Sequence, residues 1–235
     1  MSMLTTDYHI HILPGIDDGA ENAQVSMRML QVCNLQGVER VVATPHYIPH
    51  HESTADFLLN RQKAVEILQS VADQNTSGIS IIPGAEVLVE RGFSEREGIE
   101  KLTVAGGGYI LLELPYSPFK EWMMSEIYSI MHRHKLTPVF AHMERYLQWY
   151  SGDEMSRVLS VQEAVIQINS SALRNRKTLK FTLSLIRSNF PVIFGSDAHD
   201  TDSRPPNLDA AYKIFASKLS KDELAGIIDL GNKLI

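Results

Sequence analysis

This sequence has only one cysteine, no long apolar run and no excess of positive charge. Cys33 is the single cysteine among 235 residues, so an internal disulfide is excluded and a reducing compartment is indicated. The chain has no apolar run of about 18 or more residues, and no leader in which a charged segment precedes an apolar one. We therefore expect a cytoplasmic protein without a membrane span.

Basic residues are outnumbered by acidic ones. Lys and Arg total 22 and Asp and Glu total 28, so the formal net charge is −6 at pH 7. Because nucleic-acid binding draws on positive charge to neutralise phosphates, we expect no nucleic-acid partner. The hydrophobic share of 44% is ordinary for a globular protein. At this length we predict one domain over residues 1–235, since barrel folds commonly reach it as a single unit.

Two kinds of motif that are typical of proteins acting on phosphates are absent from this sequence. Arg40 follows Cys33 one residue too late for the C-x5-R loop of the cysteine phosphatases, and Cys33 falls in a helix predicted over Ala20–Gln36. The glycines at 106–108 lack the GxxxxGK[ST] or GxGxxG spacing that cradles phosphates. We therefore exclude a cysteine nucleophile and predict that Cys33 packs in the core.

Seven short apolar segments, most of them followed by a helical segment, predict the sheet. Apolar strands that alternate with helices indicate a parallel sheet covered on both faces. We predict an α/β fold in which the seven units form a closed or nearly closed (β/α)7 barrel, with an open doubly wound sheet as the alternative. The predicted strands cover Asp7–Leu13, Glu39–Thr44, Ile79–Pro83, Tyr109–Leu114, Pro138–Ala141, Val165–Ile168 and Pro191–Phe194.

Histidines and carboxylates gather where these strands end. Alternate side chains of a strand share a face, so His9 and His11 converge, although this pair alone fits partly buried polar residues as well. In a (β/α) barrel the catalytic side chains come from the C-terminal strand ends and the loops after them. Nine side chains occupy these places after six of the seven strands: His9, His11, Asp18, His46, Glu86, Glu113, His142, Asp197 and His199.

These five imidazoles and four carboxylates predict a metal centre. They are too many for one tetrahedral ion and suit two or three ions that share bridging carboxylates. Mixed nitrogen and oxygen ligands without thiolate are typical of Mn²⁺, Fe²⁺ or Zn²⁺ at a hydrolytic centre. Such a centre supplies hydroxide near neutral pH and clamps a phosphoryl or an acyl group, and the ligand set leaves both reactions open.

Two arginines favour the phosphoryl group. Arg145 lies three residues beyond His142, and Arg204 lies five beyond His199, both in loops on the same face of the predicted barrel. A guanidinium matches the geometry of phosphate with two parallel hydrogen bonds and stays charged. The pair therefore indicates a phosphomonoester substrate, and the alternative is a pair of ordinary surface arginines in salt bridges.

Taken together, the motifs resemble those of a known family. H-x-H near the N-terminus, then T-P-H, G-A-E, a buried strand Glu, A-H-x-E-R-Y and S-D-x-H are similar to the polymerase and histidinol phosphatase (PHP) superfamily. HILPGIDDG, VVATPH, PGAEV, AHMERY, QINSS and GSDAHDTDSRPP more closely resemble its bacterial protein-tyrosine phosphatases of the CpsB/YwqE type. The motifs run from residue 9 to residue 206. One departure is Ala172, where family members can carry a histidine.

The resemblance implies a specific enzyme. It implies a distorted TIM-like barrel and two or three ions, usually Mn²⁺, with Fe²⁺, Zn²⁺, Co²⁺ or Mg²⁺ as substitutes. The nine strand-end residues would be the ligands, with Asp18 rather than Asp17 as the third because it aligns with the family's D-G, while Arg145 and Arg204 would hold the phosphate. The substrate implied is phosphotyrosine on the tail of a bacterial tyrosine kinase of capsule and exopolysaccharide synthesis, hydrolysed by metal-bound hydroxide.

Three other functions stay open at this point. The first is a small-molecule phosphatase of the histidinol-phosphatase type, which a deep site enclosed by residues 47–53 and 116–119 would favour. The second is a metal-dependent amidohydrolase, against which Arg145 and Arg204 argue. The third is a PHP-like module that binds metal or a partner kinase without turnover. The oligomeric state is open as well.

Overall fold

The computed structural model describes residues 4–74 and 78–235, in which nine short strands alternate with seven α-helices. The strands are β1 Thr6–Ile10, β2 Arg40–Ala43, β3 His46–Tyr47, β4 Ser80–Pro83, β5 Glu86–Leu88, β6 Tyr109–Glu113, β7 Thr137–Phe140, β8 Val165–Asn169 and β9 Val192–Gly195. The helices are α1 Ala23–Leu35, α2 Thr54–Gln74, α3 Glu121–His134, α4 Gly152–Leu159, α5 Arg176–Arg187, α6 Leu208–Lys218 and α7 Lys221–Asn232. Short 3-10 helices cover Phe93–Glu95, Ile99–Leu102, Val104–Gly106, Met143–Gln148 and Ser170–Arg174.

The strands form two parallel sheets. One has the order β1-β2-β4 and the other the order β3-β5-β6-β7-β8-β9. Two predicted strands, Glu39–Thr44 and Ile79–Pro83, correspond to β2 and β4, and each is followed by a short strand that was not predicted, β3 or β5, because the chain changes sheet at Pro45 and again at Gly84. Proline has no N–H to donate, so a ladder of hydrogen bonds cannot continue through Pro45. The predicted α/β fold on parallel strands is confirmed.

Backbone hydrogen bonds join the first strand to the last. Asp197 N donates to His9 O at 2.7 Å, and His11 N donates to Ala198 O at 2.9 Å. An isolated parallel bridge pairs Ile10 with Ala198 between these two bonds. The outer strands β1 and β9 of the two sheets therefore lie side by side, and closure of all strands into a complete barrel stays a prediction.

Local sequence signals account for the helix ends. Asn22 accepts hydrogen bonds from the N–H groups of Gln24 and Val25, so α1 begins at Ala23 rather than at the predicted Ala20. Capping boxes begin α4 and α7, where Ser151 and Ser220 each exchange hydrogen bonds with a glutamate three residues on.

The helices cover one large apolar core. It draws on both ends of the described chain, from Leu4 to Ile227, and Cys33 lies fully buried in it as predicted. Strands β5 to β9 supply interior side chains such as Leu112, Phe140 and Ile166. Because parallel neighbours end on the same side of their sheet, the residues that follow these strands meet there. Among the described residues, no helix has both the length and the apolar character needed to cross a bilayer.

Candidate metal centre

A buried carboxylate, that of Glu86 at the start of β5, lies at the middle of the polar cluster. Its Oε1 atom is 2.7 Å from Nε2 of His142. Its Oε2 atom is 3.0 Å from Nδ1 of His46 and 3.2 Å from Nε2 of both His9 and His11. Three segments that are far apart in sequence, at β1, β3 and the end of β7, thus direct four imidazoles at one carboxylate.

Asp197, just beyond β9, is the second carboxylate of the cluster. Its Oδ1 atom is 3.6 Å from Nε2 of His9 and 3.4 Å from Nε2 of His11. Both predicted arginines contact it as well: Arg204 Nη2 lies 2.9 Å from Oδ1, and Arg145 forms an ion pair with Oδ2. Asp197 therefore connects the imidazole cluster to the guanidinium pair.

The remaining predicted residues complete the cluster, and of these Asp18 faces solvent while His199 and Glu113 are buried. Oδ1 of Asp18 is 3.4 Å from Nε2 of His46 and 3.4 Å from Nε2 of His199, and the Asp18 side chain is 67% exposed. Glu113, at the end of β6, lies 3.5 Å from Nε2 of His142. The structure thus brings all nine sequence-predicted metal residues and both arginines into one site.

Three overlapping groups in this site have the spacing of metal ligands. In each group the nitrogen and carboxylate oxygen atoms all lie within 4.8 Å of one another. His11, His46 and Glu86 each belong to two groups, which suits ions that share bridging residues. The groups are His11, Asp18, His46 and His199; His9, His11 and Glu86; and His46, Glu86 and Glu113.

Buried unpaired atoms within the cluster show that these residues fit a cation. Oε2 of Glu86 and Nε2 of His199 are buried without a hydrogen-bond partner among the described residues. A buried carboxylate oxygen without a partner is costly unless a positive charge faces it. The three imidazole nitrogens within 3.2 Å of Oε2 lie at ion-pair distance without forming that hydrogen bond.

The hydrogen bonds of His9 and His11 also fit the binding of a cation. Nδ1 of His9 lies 2.9 Å from Oε1 of Gln167, and Nδ1 of His11 lies 2.8 Å from Oδ2 of Asp17. Both acceptors hold a proton on Nδ1, so each ring, when neutral, carries its lone pair on Nε2, and the two Nε2 atoms face each other 3.1 Å apart. Ring nitrogens oriented in this way are the usual ligands of transition metals.

Mutual electrostatics keep the carboxylates charged despite burial. Burial alone would raise the pKa of the Glu86 carboxyl, but His9 and the other imidazoles hold it well below its usual range. The same holds for Asp197: burial alone would raise the pKa of its carboxyl, but His9, His11 and Arg145 hold that pKa well below its usual range. These two residues are therefore charged ligand candidates at neutral pH.

The histidines fall into two classes. Burial would lower the pKa of His9, but the carboxylates of Glu86 and Asp197 more than reverse this and raise it. Burial, His11 and Arg204 together lower the pKa of His199 to about 4, so its imidazole is neutral and offers a lone pair. Without a cation, protons on the inner imidazoles balance the carboxylates, and binding a metal would displace them.

Two glycines allow the backbone to approach the inner histidines. A Cβ added at Gly195 would lie 2.4 Å from Cβ of His9, and one at Gly19 would lie 2.5 Å from Cβ of His11. Real Cβ atoms do not come this close, so any side chain there would displace a candidate ligand. His142 and Asp197 adopt φ values of 32° and 54°, a conformation that L-residues rarely adopt and that clusters at functional sites.

Several residues that support the cluster were not identified from sequence. Oε1 of Gln167 accepts the backbone N–H of His142 at 2.7 Å in addition to its contact with His9. Tyr116 receives a hydrogen bond of 2.8 Å from Nη1 of Arg145, and Asn169 donates one of 2.8 Å to Oδ2 of Asp197. Gln167 lies in the middle of β8 and Asn169 ends that strand, but amide side chains have no charge that marks them as functional.

Two aspartates flank the cluster without facing it. Asp17 bonds to His11 and accepts the backbone N–H groups of His46 and Gly19, each at 3.0 Å, so it orients ligands while Asp18 faces the site. Asp7, predicted to be structural, accepts the N–H of Ser196 at 2.8 Å. Burial raises the pKa of Asp7 to about 6.

An open cleft leads from solvent to the cluster. Its volume is about 580 Å³, and its walls include His46, Tyr116, Arg145 and Arg204 as well as residues of the 47–53 segment. The two arginine side chains are 34% and 38% exposed, so their guanidinium groups can reach a ligand that enters from solvent.

Comparison with known proteins identifies relatives across nearly the whole chain. The family model for capsular polysaccharide synthesis proteins, CpsB/CapC, matches residues 5–233. The tyrosine-protein phosphatase YwqE of Bacillus subtilis is 28% identical over 208 residues, which cover 84% of this chain and 78% of YwqE. The tyrosine-protein phosphatase CpsB of Streptococcus pneumoniae is 29% identical over 232 residues, which cover 90% of each chain.

The fold has a match among solved structures. A chain from the crystal structures of YwqE from Bacillus subtilis and CpsB from Streptococcus pneumoniae, described as unique metal-dependent tyrosine phosphatases, superimposes with a TM-score of 0.84. The alignment covers 97% of this chain and 93% of the other at 23% identity. This likeness establishes the shared fold.

Proposed function

Because this chain belongs to the CpsB/CapC family of capsular polysaccharide synthesis, we propose that it is a metal-dependent protein-tyrosine phosphatase. The observation that carries the proposal is the contact between the imidazole cluster and two guanidinium groups. Asp197 touches His9 and His11 on one side and Arg145 and Arg204 on the other. A phosphoryl group bound between the imidazole cluster and the arginines would contact the cations held by the cluster and the two guanidinium groups at the same time.

Divalent cations held by the nine predicted residues would supply Lewis-acid activation of water and of the phosphoryl group. The chain's own contribution is binding and orientation. Arg145 and Arg204 bind phosphoryl oxygens with paired N–H groups and balance the charge that spreads over those oxygens in the transition state. The phenolate of tyrosine, with a solution pKa of about 10, leaves with only modest proton assistance.

Tyr116 positions one of these arginines. Its hydroxyl accepts the hydrogen bond of Arg145, and its ring stacks on Tyr146 with centroids 5.7 Å apart and 17° between the planes. The Arg145 guanidinium is therefore held from two sides, by Tyr116 and by Asp197. A fixed guanidinium loses less conformational freedom when it binds phosphate.

The openness of the site supports a polypeptide substrate over a metabolite. The Asp18 side chain is 67% exposed although it lies 3.4 Å from two histidines of the cluster. Tyr116, on the cleft wall, is 42% exposed. A substrate whose side chain reaches the cluster can thus keep its main chain in solvent.

The proposal includes several finer points that rest on the family resemblance. The cation would be Mn²⁺, with two or three ions per chain. The phosphotyrosine would be on a bacterial tyrosine kinase that controls capsular or exopolysaccharide synthesis, and the protein would act in the cytoplasm.

The proposal is tested with protein stripped of metal and then assayed with and without Mn²⁺. The substrates are a phosphotyrosine peptide, a phosphoserine peptide and histidinol phosphate. We expect turnover of the phosphotyrosine peptide in the presence of Mn²⁺ and little of the other two. Preference for histidinol phosphate would support the small-molecule alternative, and no turnover of any substrate with any divalent cation would refute the phosphatase function.

An arginine variant separates metal binding from phosphate binding. Arg204→Ala should bind the full complement of Mn²⁺ but show a raised KM or a lowered kcat, because its guanidinium contacts the substrate and not the ion. Arg28→Ala, which removes an exposed arginine of α1, is the control for loss of one positive charge. Unchanged kinetics in Arg204→Ala would remove this arginine from the site.

A further inference from the structure

A second, smaller cavity lies behind the two arginines. Its volume is about 180 Å³, and it shares Arg145, Asp197 and Arg204 with the large cleft. Its outer wall is formed by residues that the proposed reaction does not use, among them Arg174 and Asn207. We call this cavity the arginine pocket.

The charge of the arginine pocket is strongly positive. Arg145, Arg174 and Arg204 line it, and the one acidic side chain in its wall is Asp197, which the first and last already contact. The whole chain carries a formal charge of −6, so a cavity lined by several guanidinium groups differs from the acidic character of the chain as a whole. A cavity with an excess of positive charge attracts an anion.

Arg174 is available to bind such an anion. It ends the 3-10 helix Ser170–Arg174 directly after β8, and it forms no ion pair with any residue in the described ranges. Its backbone is held in place: Ser170 Oγ donates to Gly195 O at 3.0 Å, and Asn175 caps α5. The backbone at Arg174 is thus fixed, while its guanidinium group is free to bind an anion.

Asn207 adds a neutral partner. Its Oδ1 atom is buried without a hydrogen-bond partner among the residues that the structure describes. A carboxamide offers two N–H donors at its other end, and rotation by half a turn would present them at the same place. An unpaired, buried carboxamide oxygen in the wall of a cationic pocket indicates a polar ligand.

From these observations we propose that the arginine pocket binds a second acidic side chain of the polypeptide substrate, either a carboxylate or a phosphorylated residue. The inference rests on the proposed function, because the polypeptide is defined by the phosphotyrosine in the neighbouring cleft. Arg145 and Arg204 border both spaces, so two anionic groups of one substrate would bind on opposite sides of the same guanidinium pair. The pocket would therefore select phosphotyrosines that have an acidic neighbour.

The test uses phosphotyrosine peptides that differ at one neighbouring residue. Glutamine, glutamate or phosphoserine is placed in turn at each of the two positions on either side of the phosphotyrosine. The kcat/KM of the Mn²⁺-loaded protein and the peptide affinity of the metal-free protein, measured by fluorescence anisotropy, are compared. At one position or more, we expect glutamate or phosphoserine to improve both values over glutamine by about fivefold, the effect of one partly exposed ion pair.

Substitution of Arg174 assigns the effect to the pocket. Arg174→Ala should lose the preference for the acidic neighbour and leave kcat/KM for the glutamine peptide unchanged, whereas Arg174→Lys should keep part of the preference. Arg176→Ala removes an exposed arginine two residues away that does not line the pocket, and it should keep the full preference. A larger gain from phosphoserine than from glutamate would identify a phosphoryl group as the favoured occupant.

The outcomes separate the two proposals. If phosphotyrosine peptides are hydrolysed but acidic neighbours give no gain, or if Arg174→Ala keeps the gain, the arginine pocket has no such role. If no phosphotyrosine peptide is hydrolysed, the phosphatase proposal fails, and the anisotropy measurements still decide whether the pocket binds an acidic side chain.

Discussion

Substitution of Gly195 by alanine would test the backbone approach on which the metal centre depends. The added Cβ would lie 2.4 Å from Cβ of His9 and 2.8 Å from its backbone nitrogen. Ordinary contacts begin at 3.4 Å, so β1 and the end of β9 must separate by about 1 Å. Both contacted atoms belong to β1 itself, and no side-chain rotation can relieve the clash.

Two effects of different size follow from this displacement. Overpacking of this kind costs about 1–3 kcal/mol of stability. Metal–ligand distances vary by only about 0.2 Å in well-formed sites, so a shift of His9 by several times that amount removes it from the coordination sphere. We therefore expect Gly195→Ala to be less stable without metal and to lose most of the stabilisation that Mn²⁺ gives.

Gly226→Ala is the matched control. Gly226 lies in α7, where an added Cβ would meet no atom within 4 Å. The same methyl group should there stabilise the helix by about 0.5–1 kcal/mol, because alanine restricts the unfolded chain and favours the helix. The two substitutions thus add identical atoms and have opposite expected signs.

Urea unfolding of the metal-free proteins gives the stability difference, and equilibrium dialysis gives the number of Mn²⁺ ions bound per chain. Thermal unfolding with and without Mn²⁺ measures the stabilisation by metal. If Gly195→Ala unfolds within about 0.5 kcal/mol of the unsubstituted protein and binds the same number of ions, then β9 does not press on His9 and the reasoning is refuted.

Three further predictions concern the same centre. Asp17→Asn weakens the hydrogen bonds that orient His11 and the His46 backbone, and Mn²⁺ affinity should fall about 10- to 100-fold with the fold intact; titration calorimetry that shows unchanged affinity would contradict the orienting role. Cys33→Ala should leave kcat unchanged, because the thiol is buried in the core and does not line the cleft; a loss of kcat beyond the loss of folded protein would revive a cysteine mechanism. Removal of metal with EDTA should abolish activity and lower Tm, and Mn²⁺ should restore both; activity that survives complete removal would exclude a metal-dependent reaction.

The residues of the centre could be predicted because each signal is local. A histidine or carboxylate directly after an apolar strand is visible in sequence, and parallel strands bring such positions to one side of the sheet. His9 and His11 illustrate this: β1 ends at Ile10, short of the predicted Leu13, yet their Nε2 atoms lie 3.1 Å apart. The prediction depended on which residues end a strand and tolerated errors in strand length.

Boundaries and sheet membership were less predictable. The predicted seven strands became nine, because the chain shifts from one sheet to the other at Pro45 and at Gly84. An apolar run followed by Thr-Pro-His reads as one strand that stops at the proline. The sequence does not show that a second strand begins after it, or with which neighbour that strand pairs. Pairing depends on residues that lie about 40 positions away, such as Arg40 with Ser80.

The residue types and their places in the sequence were enough to predict a metal centre: imidazoles and carboxylates follow six predicted strands, two arginines lie beyond them, and the one cysteine is out of place for catalysis. How these groups are supported could be seen only in the folded chain. Gln167 contacts His9 across 158 positions of sequence, and Gly195, which lies against the same residue, is still farther away along the chain. Arg174, an unremarkable charge in sequence, lines a pocket only because β8 and β9 end side by side. Patterns of side-chain spacing report on residues a few positions apart. These contacts join residues that are far apart in sequence, and they form only when the strands pack together in the folded protein.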